Sequence, residues 1–295
     1  MLPESKIFLS NTDEFGCYFA LKRAIKSLGI NLNFKKAIIK INLCSLRPRE
    51  TGSTSDPIVV EQLVKLLNEF GIQVILVESS SYGRDADLLF SYLGFKSLEK
   101  KYDVKCVNLS RDDYSVKKID GYYLKSIRVA RTMESADFFI THPKLKTHTS
   151  LGVRLTGALK NQFGCLMDKK KVAYHPVIHE VIADVNQIFN PDLTVMDAII
   201  AMTGYGPTTG IPQRMNLLLT SVDPVATDAL GAKLFGYNPR TIKYLKLAER
   251  KRLGSTKFKA VGDKIQGCRC EMHINNLAIR SFELLSHIGI NAPGD

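Results

Sequence analysis

The chain has 295 residues, 45% hydrophobic and 24% charged, a balance that excludes wholesale disorder and leaves room for one large α/β domain or two smaller ones. No apolar run approaches the ~20 residues that cross a bilayer. The stretch from Met1 to Ile30 holds no signal-like apolar segment, since Asp13 and Glu14 interrupt the one candidate, so the expected location is cytoplasmic. Lys+Arg 41 against Asp+Glu 29 leaves +12, and six scattered cysteines without a Cys-x-x-Cys pair do not make a disulfide framework.

The first clear strand is 37–43, short, β-branched and mostly apolar. A polar loop follows, and Asp56-Pro57 opens a helix through Phe70 that Gly71 ends. Residues 72–77 form a second buried strand, and strand–helix–strand with short loops predicts a βαβ crossover. Further on, the pattern predicts a helix at 85–93, a strand at 104–109, and a hairpin of 114–119 and 122–129 around Asp120-Gly121. It continues with a strand at 137–141, helices at 151–163 and 177–189, and strands at 193–201 and 215–221. Asp223-Pro224 opens a helix to Leu234, Asn238-Pro239 opens another to about Arg252, and a last helix is expected at 277–288. The alternation predicts a three-layer αβα sandwich with a largely parallel sheet, an inserted β-hairpin and a short C-terminal appendage, divided as a core at 1–255 and the appendage at 256–295.

In such sheets ligands gather at the carboxyl ends of strands. Those ends carry Lys40 and Asn42, Glu78, the run from His142 to His148, and Asp197. The positive charge is concentrated there: 141–171 contains seven Lys or Arg and one acid. Lys144 and Lys146, two apart, share a face in extended chain, and His148 continues it. Lys160 and Asn161 lie one predicted helix later, among Gly152, Gly157 and Gly164. This is not a Walker loop, and Gly204-x-Gly206 lacks dinucleotide spacing. The expectation is one anion pocket formed by Lys144, Lys146, His148 and Lys160, with Lys40, Asn42, Thr147 and Asn161 as further binding residues. His148, Lys146 and Glu78 are the catalytic candidates, with Glu78 and Asp197 as the acidic counterpart. Lys40, Glu78 and Lys144 are expected at the same end of the sheet.

The strings Lys40-Ile41-Asn42-Leu43, Glu78-Ser79-Ser80, Pro143-Lys144-Leu145-Lys146-Thr147-His148, Thr156-Gly157-Ala158-Leu159-Lys160-Asn161-Gln162-Phe163-Gly164, Gly204-Tyr205-Gly206-Pro207 and Asp223-Pro224-Val225-Ala226-Thr227-Asp228 resemble the signature blocks of the domain-of-unknown-function 362 family, in that family's order. Ile41 stands where the family has proline. The resemblance implies the fold and the residues that matter, but no reaction. Many members carry an iron–sulfur module of ferredoxin type, whose cysteine run is missing here, so the chain is not expected to bind a cluster by itself.

Three functions compete. The first is an enzyme taking a small anionic substrate or cofactor, with a redox role suggested only by the relatives; no cofactor is assigned. The second is a nucleic-acid binder using 239–270, where ten Lys or Arg face two acids. The third is a metal- or cluster-handling protein. Its candidate ligands are His175 and His179, four apart but separated by Pro176, and Cys268, Cys270 and His273, for which two reduced thiols on a strand is the plainer reading. Cys44 and Cys165 read as packed thiols.

Overall fold

Apolar β-branched runs alternating with amphipathic helices give the chain order β1 (Ser5–Asn11), α1 (Cys17–Leu28), β2 (Lys36–Lys40), α2 (Pro57–Glu69), β3 (Gln73–Glu78), α3 (Ala86–Tyr92), β4 (Val104–Asn108). A hairpin, β5 (Tyr114–Lys118) and β6 (Ser126–Ala130), and the single turn α4 (Arg131–Glu134) precede β7 (Phe138–Thr141), β8 (Lys144–His148), β9 (Arg154–Thr156) and α5 (Ala158–Asn161). The chain continues through α6 (Ile178–Val185), β10 (Leu193–Thr203), β11 (Ile211–Ser221), α7 (Pro224–Leu234), α8 (Lys243–Arg250) and β12 (Phe258–Gly262). This computed structural model describes residues 4–81, 83–149 and 152–264. The helix expected at 277–288, and Cys268, Cys270 and His273, lie outside the described residues.

The main sheet runs β12-β1-β11-β10-β7-β2-β3-β4, with β8 and then β9 branching from β10. Strands β10, β7, β2, β3 and β4 are mutually parallel, whereas β11 lies antiparallel between β10 and β1. Alternate side chains feed two layers. Ala37, Ile39, Val74 and Leu76 pack under α1–α3. Ile38, Ile75 and Val77 pack on the opposite face with the β6 and α6 side chains, and Leu217, Leu219 and Met196 meet α7 and α8 on that side. The expected αβα sandwich with a largely parallel sheet and an inserted hairpin is the observed architecture. Both Asp-Pro starts have the expected form: Asp56 accepts from Ile58 N–H and Asp223 from Ala226 N–H, each with proline next.

Several local expectations are corrected. Residues 144–148, expected as an extended run following the strand at 137–141, are themselves a strand buried at every position. The helix expected at 151–163 is instead β9, the single turn α5 and a 3-10 turn at Gln162–Cys165. Arg154 has φ 67°, and Asp228 accepts from Ala158 and Leu159 N–H, which starts α5 only after Gly157. The hairpin does not close tightly at Asp120-Gly121, because Lys118 pairs with Ser126 and Asp184 holds the connection by accepting from Tyr122, Tyr123 and Leu124 N–H. The helix after Asn238 is a 3-10 turn and then α8. Within the segment set apart as an appendage, β12 pairs in parallel with β1.

Candidate functional site

Lys40 ends β2 and Glu78 ends β3, and the parallel register of these strands sets them side by side. Lys40 Nζ donates to Glu78 Oε2 at 2.9 Å and to Ile41 O at 2.7 Å. Glu78 also accepts from Leu43 N–H at 3.0 Å and Ser79 N–H at 2.9 Å, so every polar atom of this buried pair is satisfied. Gly164 passes against it: a Cβ there would lie 2.5 Å from Lys40 Nζ and 2.6 Å from Glu78 Oε1, so only glycine fits.

Lys144 is paired with Asp197 across β8 and β10. Nζ to Oδ2 is 2.7 Å and both side chains are fully buried. Lys144 was expected in the anion pocket and Asp197 as its acidic counterpart; the pair is closed on itself instead. Lys40 and Glu78 end the parallel strands β2 and β3, and Lys144 begins β8 three residues after the end of β7, which pairs with β2, so the three lie at the same end of the sheet.

Lys146 points into a different set of partners. Its Nζ donates to Asn42 Oδ1 at 2.7 Å, to Ser53 O at 2.7 Å and to Cys44 Sγ at 3.1 Å. Asn42 Nδ2 donates in turn to Asn161 Oδ1 at 3.1 Å, and Asn161 Nδ2 donates to Lys40 O and Thr141 Oγ1. Asn42 and Asn161 therefore tie α5 to the ends of β2 and β7. Thr147 points to the other face of β8, donating to Gly204 O at 2.8 Å, where it holds the β10–β11 loop.

Lys160, His148 and Lys171 complete the cluster. Lys160 Nζ lies over the Phe163 ring at 5.4 Å and has no carboxylate partner among the described residues. Burial, together with the charges of Lys146, Lys171 and Lys40, pulls it down to about 8. Lys171 is buried against Ser79 Oγ and Ser80 O, and burial pulls it down to about 8 as well. His148 was expected to titrate near neutral pH. It is 7% exposed, and burial, with Lys160 and His175 next to it, holds its pKa well below the ordinary value, so the imidazole is neutral at pH 7.

His175 and His179 are both near enough to lower the pKa of His148, and His179 stacks on Tyr244 with centroids 6.2 Å apart. Among the described residues no three His, Cys, Asp or Glu side chains form a metal-ligand group. Cys165 is a packed thiol, pushed up to about 12 by burial. Cys44 is not one: it is partly exposed and bonded to Lys146. Cys44, Ser53 and Lys171 are the members that sequence reasoning missed. On the basic segment, α8 turns Lys243 and Lys246 outward, Lys243 pairs with Glu180, and Lys251 pairs with Asp120. No helix among the described residues is long and apolar enough to cross a membrane.

The family described as Domain of unknown function (DUF362) matches residues 38–233. The Thylakoid-associated protein sll1697 of Synechocystis sp. is 27% identical over 268 residues, covering 87% of this chain and 82% of that protein. The lactate racemase apoprotein of Thermoanaerobacterium thermosaccharolyticum aligns with a TM-score of 0.45 at 10% identity over 80% of this chain, which spans 58% of that chain.

Proposed function

The chain belongs to the DUF362 family, and from that premise we propose that the lysine cluster at the carboxyl end of its sheet binds a small anion, a phosphate or a carboxylate. One observation carries the reading. Lys146, Lys160 and Lys171 gather where the nearby acids are already engaged, Glu78 by Lys40 and Asp168 by Arg128. None of the three lysines has a carboxylate partner among the described residues. Buried like charges repel, and an anion among them removes the repulsion. The chemistry open to such a ligand is proton transfer. Lys160, near pH 8, can give or take a proton close to neutrality.

The test is thermal unfolding with inorganic phosphate or succinate, compared with chloride at equal ionic strength. The melting temperature is expected to rise by several degrees when the anion is well above its Kd. Lys160→Met, which breaks no hydrogen bond, should lose most of that rise while melting normally in chloride. Equal melting of the natural protein in all three salts sinks the reading.

A further inference from the structure

Lys40, Lys144 and Lys146, each no more than 1% exposed, differ in what neutralises them. Lys40 has Glu78 and Lys144 has Asp197. Lys146, 0% exposed, has two carbonyl oxygens and the sulfur of Cys44. A buried ammonium with no counter-charge is costly, and of these three partners only sulfur can carry a full negative charge. Two of the amine's protons go to Asn42 Oδ1 and Ser53 O. The third lies between nitrogen and sulfur, 3.1 Å apart; burial lowers the Lys146 amine, and the Cys44 sulfur beside it acts the other way, so each charge favours the other.

We propose that Cys44 is the counter-ion of Lys146 and a nucleophile of this site, directed at small electrophiles that bear a carboxylate or phosphate group. The choice of electrophile rests on the anion-binding reading; the ionised sulfur does not. Burial by itself would raise the thiol, but the charge and hydrogen bond of Lys146 outweigh it and lower the pKa. Cys106 and Cys165 are instead pushed up to about 12. The charged groups acting on Cys44 are Lys146 from β8 and Arg84 from the loop after β3, and Cys44 and Lys160 of α5 sense each other. Ser53 Oγ, 3.6 Å away, can donate to the sulfur, whereas Ser53 O, at 3.3 Å, is an acceptor that only a protonated Cys44 can bond.

In the reaction a sulfur lone pair forms the S–C bond, and the bond from that carbon to its leaving group breaks, the leaving group taking the electron pair. No proton moves, because the sulfur carries none. Lys146 loses its counter-ion in that step, and the anionic group of the electrophile replaces it. This is why a charged electrophile suits the site better than a neutral one.

The experiment follows alkylation of the full chain by peptide-resolved mass spectrometry from pH 5 to pH 9. With iodoacetamide, the rate at Cys44 should reach its plateau with an inflection at least one unit below the ~8.5 of an ordinary thiol. An inflection at or above that value overturns the proposal, and this measurement needs no variant. Lys146→Met should slow the reaction at pH 6.5 at least tenfold. With iodoacetate, Cys44 should react at least as fast as with iodoacetamide, and Lys160→Met should remove that preference. A low inflection without the iodoacetate preference keeps Cys44 as a thiolate and overturns the anionic electrophile, and with it the anion-binding reading.

Discussion

Asp197→Ala is expected to cost about 3–5 kcal/mol of stability in urea unfolding, the range for stripping one partner from a buried ion pair. The substitution leaves the Lys144 ammonium fully buried without its ion-pair partner, with Asp56 the remaining carboxylate that acts on it, and it also removes the acceptor that holds Ile199 N–H at 3.0 Å. The double variant Lys144→Met with Asp197→Leu should recover most of the loss, because an apolar pair of similar volume carries no desolvation penalty. Its anion-dependent rise in melting temperature should be intact, since this pair is closed on itself. A cost below ~1 kcal/mol for Asp197→Ala would mean that the ion pair does not hold β8 to β10.

The anion-dependent stabilisation is expected to fade as pH rises through about 8, where Lys160 and Lys171 give up their charges. Burial is the largest cause of both depressed values, and the neighbouring lysines add to it. The ligand-free protein should move the other way. An unfolded lysine binds its proton up to ~10.4, so between about 8 and there the unfolded chain holds more protons, and folding stability gains with pH. Sulfate keeps its charge throughout that interval and is the suitable probe. At a hundredfold Kd it should add ~2.7 kcal/mol near pH 7, and each tenfold weakening of binding removes ~1.4 kcal/mol. Melting curves from pH 6.5 to 9.5, with and without sulfate at constant ionic strength, decide it; an increment that stays level to pH 9.5 rules the lysines out as the binding groups.

The parts of the fold that were legible in the sequence are those whose burial follows from their own residues. Strands β2, β3 and β10 are mostly apolar runs, and Asp56-Pro57 and Asp223-Pro224 carry their caps in the sequence. The strand β8 was illegible because Lys144, Lys146 and His148 look solvated. Lys144 is met by Asp197, 53 positions away, and Lys146 by Asn42 and Cys44, 104 and 102 positions away, and no local pattern reports that. The helix α1 has no side-chain cap at Gly16, although Cys17, Ala20, Leu21, Ala24 and Ile25 keep helical spacing. Within the site, the strand-end rule brought Lys40, Glu78 and Lys146 into view, and the basic run at 141–171 brought Lys160. Neither could separate the lysines already paired with carboxylates from those without one, or find Cys44, whose character comes from Lys146.

The place of β1 in the sheet has a cost during synthesis. Phe8 lies opposite Thr220 and Ser5 opposite Phe258, so β1 has no sheet neighbour until more than two hundred further residues have left the ribosome. At about 5–20 residues per second that wait is on the order of ten seconds or more. The β2–β3–β4 unit, contiguous in sequence, can assemble meanwhile, while Ile7 and Leu9, which pack among residues of β10, β11, α7 and α8, wait for them. A nascent chain stalled before Ile211 therefore carries an apolar strand with both backbone edges open, a template for the wrong partner.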